Sequence, residues 1–152
     1  MDDIYNDQRK YAEDLADFEK ALNIAVDTGN RLDEHIALVG IGICNYKLGE
    51  YDESMANFEK ALSIAREIGR RKEEGKTFGA IGLVHRAQGR FSDASANYEE
   101  ALKIAREIGD ERSIEVLETE IGNLKWWVVE YDVDISMYGE SQIGKVLEVW
   151  NR

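Results

Sequence analysis

The 152-residue chain contains no proline, only one cysteine and no long apolar run. A single cysteine excludes an internal disulfide and a metal site built from several cysteines. No stretch approaches the about 18 apolar residues that a membrane-spanning helix needs, and the acidic N-terminus lacks the basic start and apolar core of a secretory signal. We therefore expect a protein of a reducing compartment, most simply the cytoplasm, that does not cross a membrane.

Basic residues are also scarce. The chain has 19 Lys and Arg against 31 Asp and Glu, a formal charge of −12 at pH 7. Binding to nucleic acid or to an anionic membrane surface requires a surplus of cations, so neither is an expected partner. The one basic cluster, Arg70-Arg71-Lys72, is interpreted as a solvated loop, with a rim that attracts an acidic ligand as the alternative.

The chain repeats itself with a period of 40 residues. Similar segments end at Gly29, Gly69 and Gly109, and residues 31–70 align with residues 71–110 without a gap, with 16 identities in 40 positions. With 43% hydrophobic residues there is enough apolar material for a packed core. Repetition at this period indicates stacked structural units that share one continuous core.

Each period predicts two helices. Between Phe58 and Ile68, apolar residues recur at i, i+3, i+4, i+7 and i+10, which is typical of an amphipathic helix. Gly69 follows this stripe and is predicted to end the helix in the left-handed conformation. By the same pattern we expect helices over about 12–28 and about 71–88.

Glycine marks the other boundaries of the predicted helices. Gly49 and Gly89 predict the tight turn between paired helices, and Asp52 and Ser92 are the predicted N-caps after that turn. Gly42 and Gly82 instead lie inside helices, where glycine costs about 1 kcal/mol relative to alanine. Their recurrence predicts that the partner helix crosses closely at each of them. The nearby Cys44 is interpreted as a small core residue.

These residues resemble the tetratricopeptide repeat, whose motif pairs L-G with a later A-x3-F. Here the matches are Ile41-Gly42 with Ser54-x3-Phe58, and Ile81-Gly82 with Ala94-x3-Tyr98. The 40-residue period and the missing closing proline resemble the long-helix subfamily of Pins-type adaptors and of many bacterial and archaeal proteins. The resemblance implies an all-α, right-handed superhelix of seven or eight helices in antiparallel pairs, without a sheet.

The register divides a single domain into four parts. Residues 1–30 form a partial first repeat that lacks the front half of its first helix, residues 31–70 and 71–110 are full repeats, and residues 111–152 form a divergent fourth repeat with a capping helix. The capping helix is predicted over about 136–150. An extended segment is the alternative, because Val129, Tyr131, Val133 and Ile135 alternate with polar residues.

No catalytic constellation emerges from the chain. Residues 139–145 spell GxxxxGK, but Val146 replaces the hydroxyl residue that binds Mg²⁺ in a phosphate loop. His35 and His85 have no second ligand at metal-binding spacing and are interpreted as packed histidines. Acidic pairs, Glu73-Glu74 and Glu99-Glu100, are predicted on solvated faces. We therefore expect no cofactor, no metal and no enzymatic activity.

The resemblance implies that the first helix of each repeat lines a concave groove, which would bind a peptide segment of a partner protein. The inward positions combine apolar, aromatic and cationic side chains, a mixture that binding hot spots favour. They are Ile36, Val39, Ile43, Tyr46, Lys47, Lys76, Leu83, Arg86, Thr119, Asn123, Trp126 and Trp127. The carboxylate clamp of chaperone-binding members is not reproduced, because Val39 and Ile43 stand where its Lys and Asn are expected.

The alternative function is self-association. The N-terminal end of the predicted solenoid has only half a helix to cover its apolar face, and two such ends could pair around a two-fold axis. The homodimer contact is predicted at Ile4, Leu15, Phe18 and Leu22.

Overall fold

A computed structural model describes the backbone of residues 2–131 and the side chains of residues 6–125. This part of the chain forms six α-helices and no strand: α1 (Asp2–Thr28), α2 (Arg31–Lys47), α3 (Tyr51–Glu67), α4 (Arg71–Ala87), α5 (Phe91–Ile108) and α6 (Glu111–Tyr131). Each helix packs on the next in chain order, and α2 also touches α4. The predicted all-α solenoid of helix pairs is confirmed. The helix predicted over 136–150, with its extended alternative, lies outside the described residues.

Five glycines end helices in the same way. Gly29, Gly49, Gly69, Gly89 and Gly109 all have φ between 69° and 77°. After Gly69, the amide of Arg70 donates to the carbonyl of Ala65 at 2.9 Å, and the other four turns repeat this bond. This is the Schellman arrangement, in which glycine takes the left-handed conformation at no steric cost. The predicted role of these glycines is confirmed.

The predicted N-caps are wrong. Helices α3 and α5 begin at Tyr51 and Phe91, so Asp52 and Ser92 lie inside the first helical turn. The Schellman bonds leave only one residue, Glu50 or Arg90, between the glycine and the next helix, and neither side chain caps it. At the start of α2, by contrast, the side chain of Asn30 accepts a hydrogen bond from the amide of Asp33 at 3.1 Å.

The N-terminal part of the chain also differs from expectation. We expected half of a first helix, a turn, and a second helix from about residue 12, but α1 is continuous from Asp2 to Thr28. Arg9 occupies the register position of Gly49 and Gly89, 40 residues before the first of them. Because arginine disfavours the left-handed conformation that the turn requires, the helix continues through this position.

The predicted close crossing at Gly42 and Gly82 is confirmed, and an aromatic ring occupies the space. A Cβ atom at Gly42 would lie 2.6 Å from Cε1 of Phe58, and one at Gly82 would lie 2.6 Å from Cε1 of Tyr98. The hydroxyl of Ser54 donates to the carbonyl of Gly42 at 2.7 Å, which brings α3 against α2. The glycines therefore make room for rings of the second helix of each pair.

Buried polar side chains in the repeats have hydrogen-bond or ion-pair partners, with two exceptions. Glu74 is only 8% exposed, so its predicted solvation is wrong: it accepts from Arg66 at 3.2 Å and pairs with Arg71 at 3.1 Å. His35 is a packed histidine as predicted, with Nδ1 donating to the carbonyl of Ala61 at 2.9 Å. The exceptions are Nδ1 of the half-buried His85 and the hydroxyl of Tyr98, which find no partner among the described atoms.

Cys44 and the acidic pair Glu99-Glu100 lie as predicted, whereas the basic cluster does not. Cys44 is buried, and this burial raises the pKa of its thiol, as befits a core residue rather than a reactive one. Glu99 and Glu100 are exposed on α5. The loop predicted for the basic cluster is wrong, because Arg71 and Lys72 lie in the first turn of α4 and only Arg70 precedes the helix. Arg71 is exposed and also pairs with Glu107 at 2.7 Å.

Candidate peptide-binding groove

A groove of about 770 Å³ lies along α2, α4 and α6, with the end of α5 at its base. Its walls are set by the contacts of α2 with α4 and of both α3 and α5 with α4. The first helices of the last three repeats, α2, α4 and α6, line this space, whereas α1 does not. The volume is in the range of sites that bind organic ligands or side chains of a docked segment.

Five of the predicted groove residues line this space. Ile43, Tyr46 and Lys47 come from the C-terminal half of α2, and Lys76 and Leu83 come from α4. Ile43 and Leu83 are 45% and 36% exposed although both are large and apolar. The ammonium of Lys47 lies 5.9 Å from the centre of the Tyr46 ring, within cation–π range.

Other predicted groove residues lie elsewhere. Ile36 lines a second depression of about 280 Å³ between α1 and α2, and Val39 packs against the core. Arg86 pairs with Glu120, which itself lines the groove. Thr119 and Asn123 are exposed on α6 but do not line the groove, whereas the side chains of Trp126 and Trp127 lie outside the described residues.

The part of α6 that lines the groove was not predicted. It consists of Arg112, Ser113, Val116, Leu117 and Glu120. The register contained a signal for one of them, because Val116 lies one period after the predicted Lys76. The residues of α6 that line the groove lie on one face of the helix. The predicted positions Thr119 and Asn123 lie on a neighbouring face.

The start of α6 fixes one end of the groove. The hydroxyl and the amide of Ser113 donate to the carboxylate of Asp110 at 2.7 and 3.2 Å. These bonds, with smaller contributions from the charges of Lys72 and Lys76, lower the pKa of Asp110. Asp110 therefore acts as the cap of α6 and is held as an anion.

The charges of the groove differ from those of the whole chain. Four cations, Lys47, Lys72, Lys76 and Arg112, line it together with two carboxylates. Asp110 is bonded within its cap and Glu120 pairs with Arg86, so both carboxylates are already engaged. None of the four cations has an ion-pair partner within the described part of the chain.

The predicted self-association residues are largely engaged within the chain. The ring of Phe18 packs on Gly40, where a Cβ atom would lie 2.5 Å from it, and Leu22 packs against a cluster that contains Leu38. Leu15 is half-buried, and the side chain of Ile4 is not among the described ones. The large apolar side chains that α1 exposes are instead Ile24, at 64%, and Val26, at 55%.

Neither a metal site nor a membrane-spanning helix is found among the described residues. Among them, no group of three or more His, Cys, Asp or Glu side chains is placed to hold a metal ion. None of the helices in this part of the chain combines the length and the apolar character needed to cross a membrane.

Comparison with known families agrees with this architecture. A model of the tetratricopeptide repeat family matches residues 3–67 and, in an overlapping second match, residues 33–107. The chain belongs to the tetratricopeptide repeat family. Repeats of this family commonly mediate protein–protein interactions and form scaffolds without catalytic chemistry of their own. A search of curated proteins finds no match.

Proposed function

We propose that this protein is an adaptor that binds a peptide segment of a partner protein in the groove along α2, α4 and α6. The observation that carries the proposal is the apolar strip formed by Ile43, Leu83 and Val116, which are 45%, 36% and 54% exposed and face one concave space. Scattered apolar residues on a surface need no explanation, but their convergence in a groove marks an interaction site.

The proposal includes a cytoplasmic location and no enzymatic role. The single cysteine suits a reducing compartment, and the acidic balance of −12 opposes binding to polyanions such as nucleic acid. A protein segment is the partner class that this family's common role in protein–protein interactions favours.

The test is a selection from a display library of random short peptides on the immobilised full chain. We expect groove-binding peptides that lose at least about tenfold in affinity for Leu83→Glu, because a carboxylate there would be desolvated against apolar ligand side chains. Val26→Glu is the control, since Val26 is also an exposed apolar residue, at 55%, but lies on α1 outside the groove. Equal binding to wild type and to Leu83→Glu would contradict the proposal, provided that thermal melts show both variants folded.

A homodimer is the second candidate. Ile24 and Ile36 are 64% and 52% exposed and line the depression between α1 and α2, so they offer an apolar surface to a second copy. We expect light scattering at tens of micromolar to give twice the monomer mass, and the double variant Ile24→Glu/Ile36→Glu to give the monomer mass. Phe18→Glu is unsuitable because Phe18 packs on Gly40 within the chain. A monomer mass for the wild type would eliminate this candidate.

A further inference from the structure

The charge of the groove complements an acidic ligand. Lys72 and Lys76 stand one helical turn apart on α4, and Arg112 occupies the register position of Lys72 on α6. All three side chains are exposed, and none of them forms an ion pair within the described structure. In a chain of net charge −12, a groove lined by four cations and two carboxylates is locally cationic, and its exposed cations are available to a ligand.

The floor of the groove contains a glycine that internal packing does not explain. Gly75 and Gly82 on α4 face Ile104 and Tyr98, so a side chain would clash there. Gly79 also lines the groove, but a Cβ atom on it would meet no atom within 4 Å. Glycine at this position costs helix stability, and the open space above it admits a bulky group from outside the chain.

We propose that the groove binds an acidic amphipathic segment of a partner protein, with a large apolar side chain over Gly79 and carboxylates at Lys72, Lys76 and Arg112. Leu83 on α4 and Val116 on α6 line the same groove and supply apolar surface. This inference rests on the proposed peptide-binding function and specifies the chemistry of the ligand.

The experiment uses the peptides selected from the random display library on the wild-type chain. We expect them to combine large apolar residues with an excess of Asp and Glu over Lys and Arg. The variant Lys72→Glu/Lys76→Glu reverses two groove charges and should weaken their binding at least about tenfold, with a smaller loss at high salt because the attraction is screened. The matched control is Lys60→Glu/Lys103→Glu, which changes the net charge equally on exposed positions of α3 and α5 outside the groove.

A second variant tests the space over Gly79. Gly79→Leu fills the groove without a clash inside the chain, so it should leave the thermal melt unchanged or raise it while weakening peptide binding at least about tenfold. This variant keeps the inference testable even if the double charge reversal perturbs folding.

The outcomes separate this inference from the function on which it rests. If no selected peptide depends on Leu83, the peptide-binding function itself fails. If the peptides depend on Leu83 but are neutral or basic and tolerate Lys72→Glu/Lys76→Glu, only the acidic ligand is overturned. If the chain is a dimer that Gly79→Leu converts to a monomer, the groove holds a second copy, and the partner segment is overturned.

Discussion

The variant Gly82→Leu is expected to lower the free energy of unfolding by about 2–3 kcal/mol. A Cβ atom at this position would already lie 2.6 Å from the ring of Tyr98, and the remaining atoms of leucine would have to displace a ring that is 2% exposed. The ring cannot turn away freely, because Ala94, Leu102, Ile121 and Leu124 pack around it. Denaturant unfolding followed by circular dichroism measures the difference.

The control for this variant lies one turn away on the same helix. Gly79→Leu introduces the same side chain where an added Cβ atom would meet no neighbouring atom within 4 Å, and leucine is the better helix former. We expect its stability to equal that of the wild type or to exceed it by up to about 1 kcal/mol. Equal effects of the two variants would show that helix propensity, not the contact with Tyr98, determines the role of Gly82.

The variant Tyr98→Phe is expected to stabilise the protein by about 1 kcal/mol at neutral pH. The hydroxyl of Tyr98 is buried and has no hydrogen-bond partner among the described atoms, so folding removes it from water without replacement. Phe58 fills the same register position in the preceding repeat, where it is equally buried, which shows that the fold accommodates phenylalanine there. Tyr11→Phe, at a half-buried position of α1, is the control and should have little effect.

The advantage of Tyr98→Phe should grow at alkaline pH. Burial raises the pKa of Tyr98 to about 12, against about 10 in an unfolded chain. The neutral hydroxyl is thus favoured by the fold, and the wild type loses stability as the pH rises from about 10 to about 12 because only the unfolded state then releases the proton. At pH 11 we expect the difference between Tyr98→Phe and wild type to increase by about 1 kcal/mol. A difference that stays constant from pH 8 to about pH 11 would contradict the raised pKa of the buried hydroxyl.

Among the features that repeat in the sequence, the glycines were predicted well, whereas the N-caps at Asp52 and Ser92 were not. The glycine turns and the helix-pair architecture follow from Gly29, Gly49, Gly69, Gly89 and Gly109, because glycine adopts the left-handed conformation that other residues avoid. The aromatic contacts of Gly42 and Gly82 were expected as close packing, although the sequence did not identify the atom on the other side. Arg9 in place of a turn glycine could have predicted the continuous α1, since the same rule applies in reverse.

Features that depend on contacts between repeats were harder to predict. Glu74 is charged and lies in a run of charged residues, and only the folded chain brings Arg66 of α3 close enough to bury it as an ion pair. The groove flank of α6 escaped prediction for a similar reason. A periodic sequence identifies one stripe on each helix, whereas the relative placement of α4 and α6 decides that Leu117 and Glu120 face the groove.

The glycine turns also determine how the chain can gain or lose a repeat in evolution. The two full repeats, residues 31–70 and 71–110, each begin at the first residue of a helix and end in a Schellman turn. Each also has a glycine turn between its two helices, at Gly49 or Gly89. A duplication or deletion of 40 codons in this register therefore creates no new kind of junction. Unequal recombination between the two copies could lengthen or shorten the groove by one helix pair in a single genetic step, with each existing turn and ring-on-glycine contact retained.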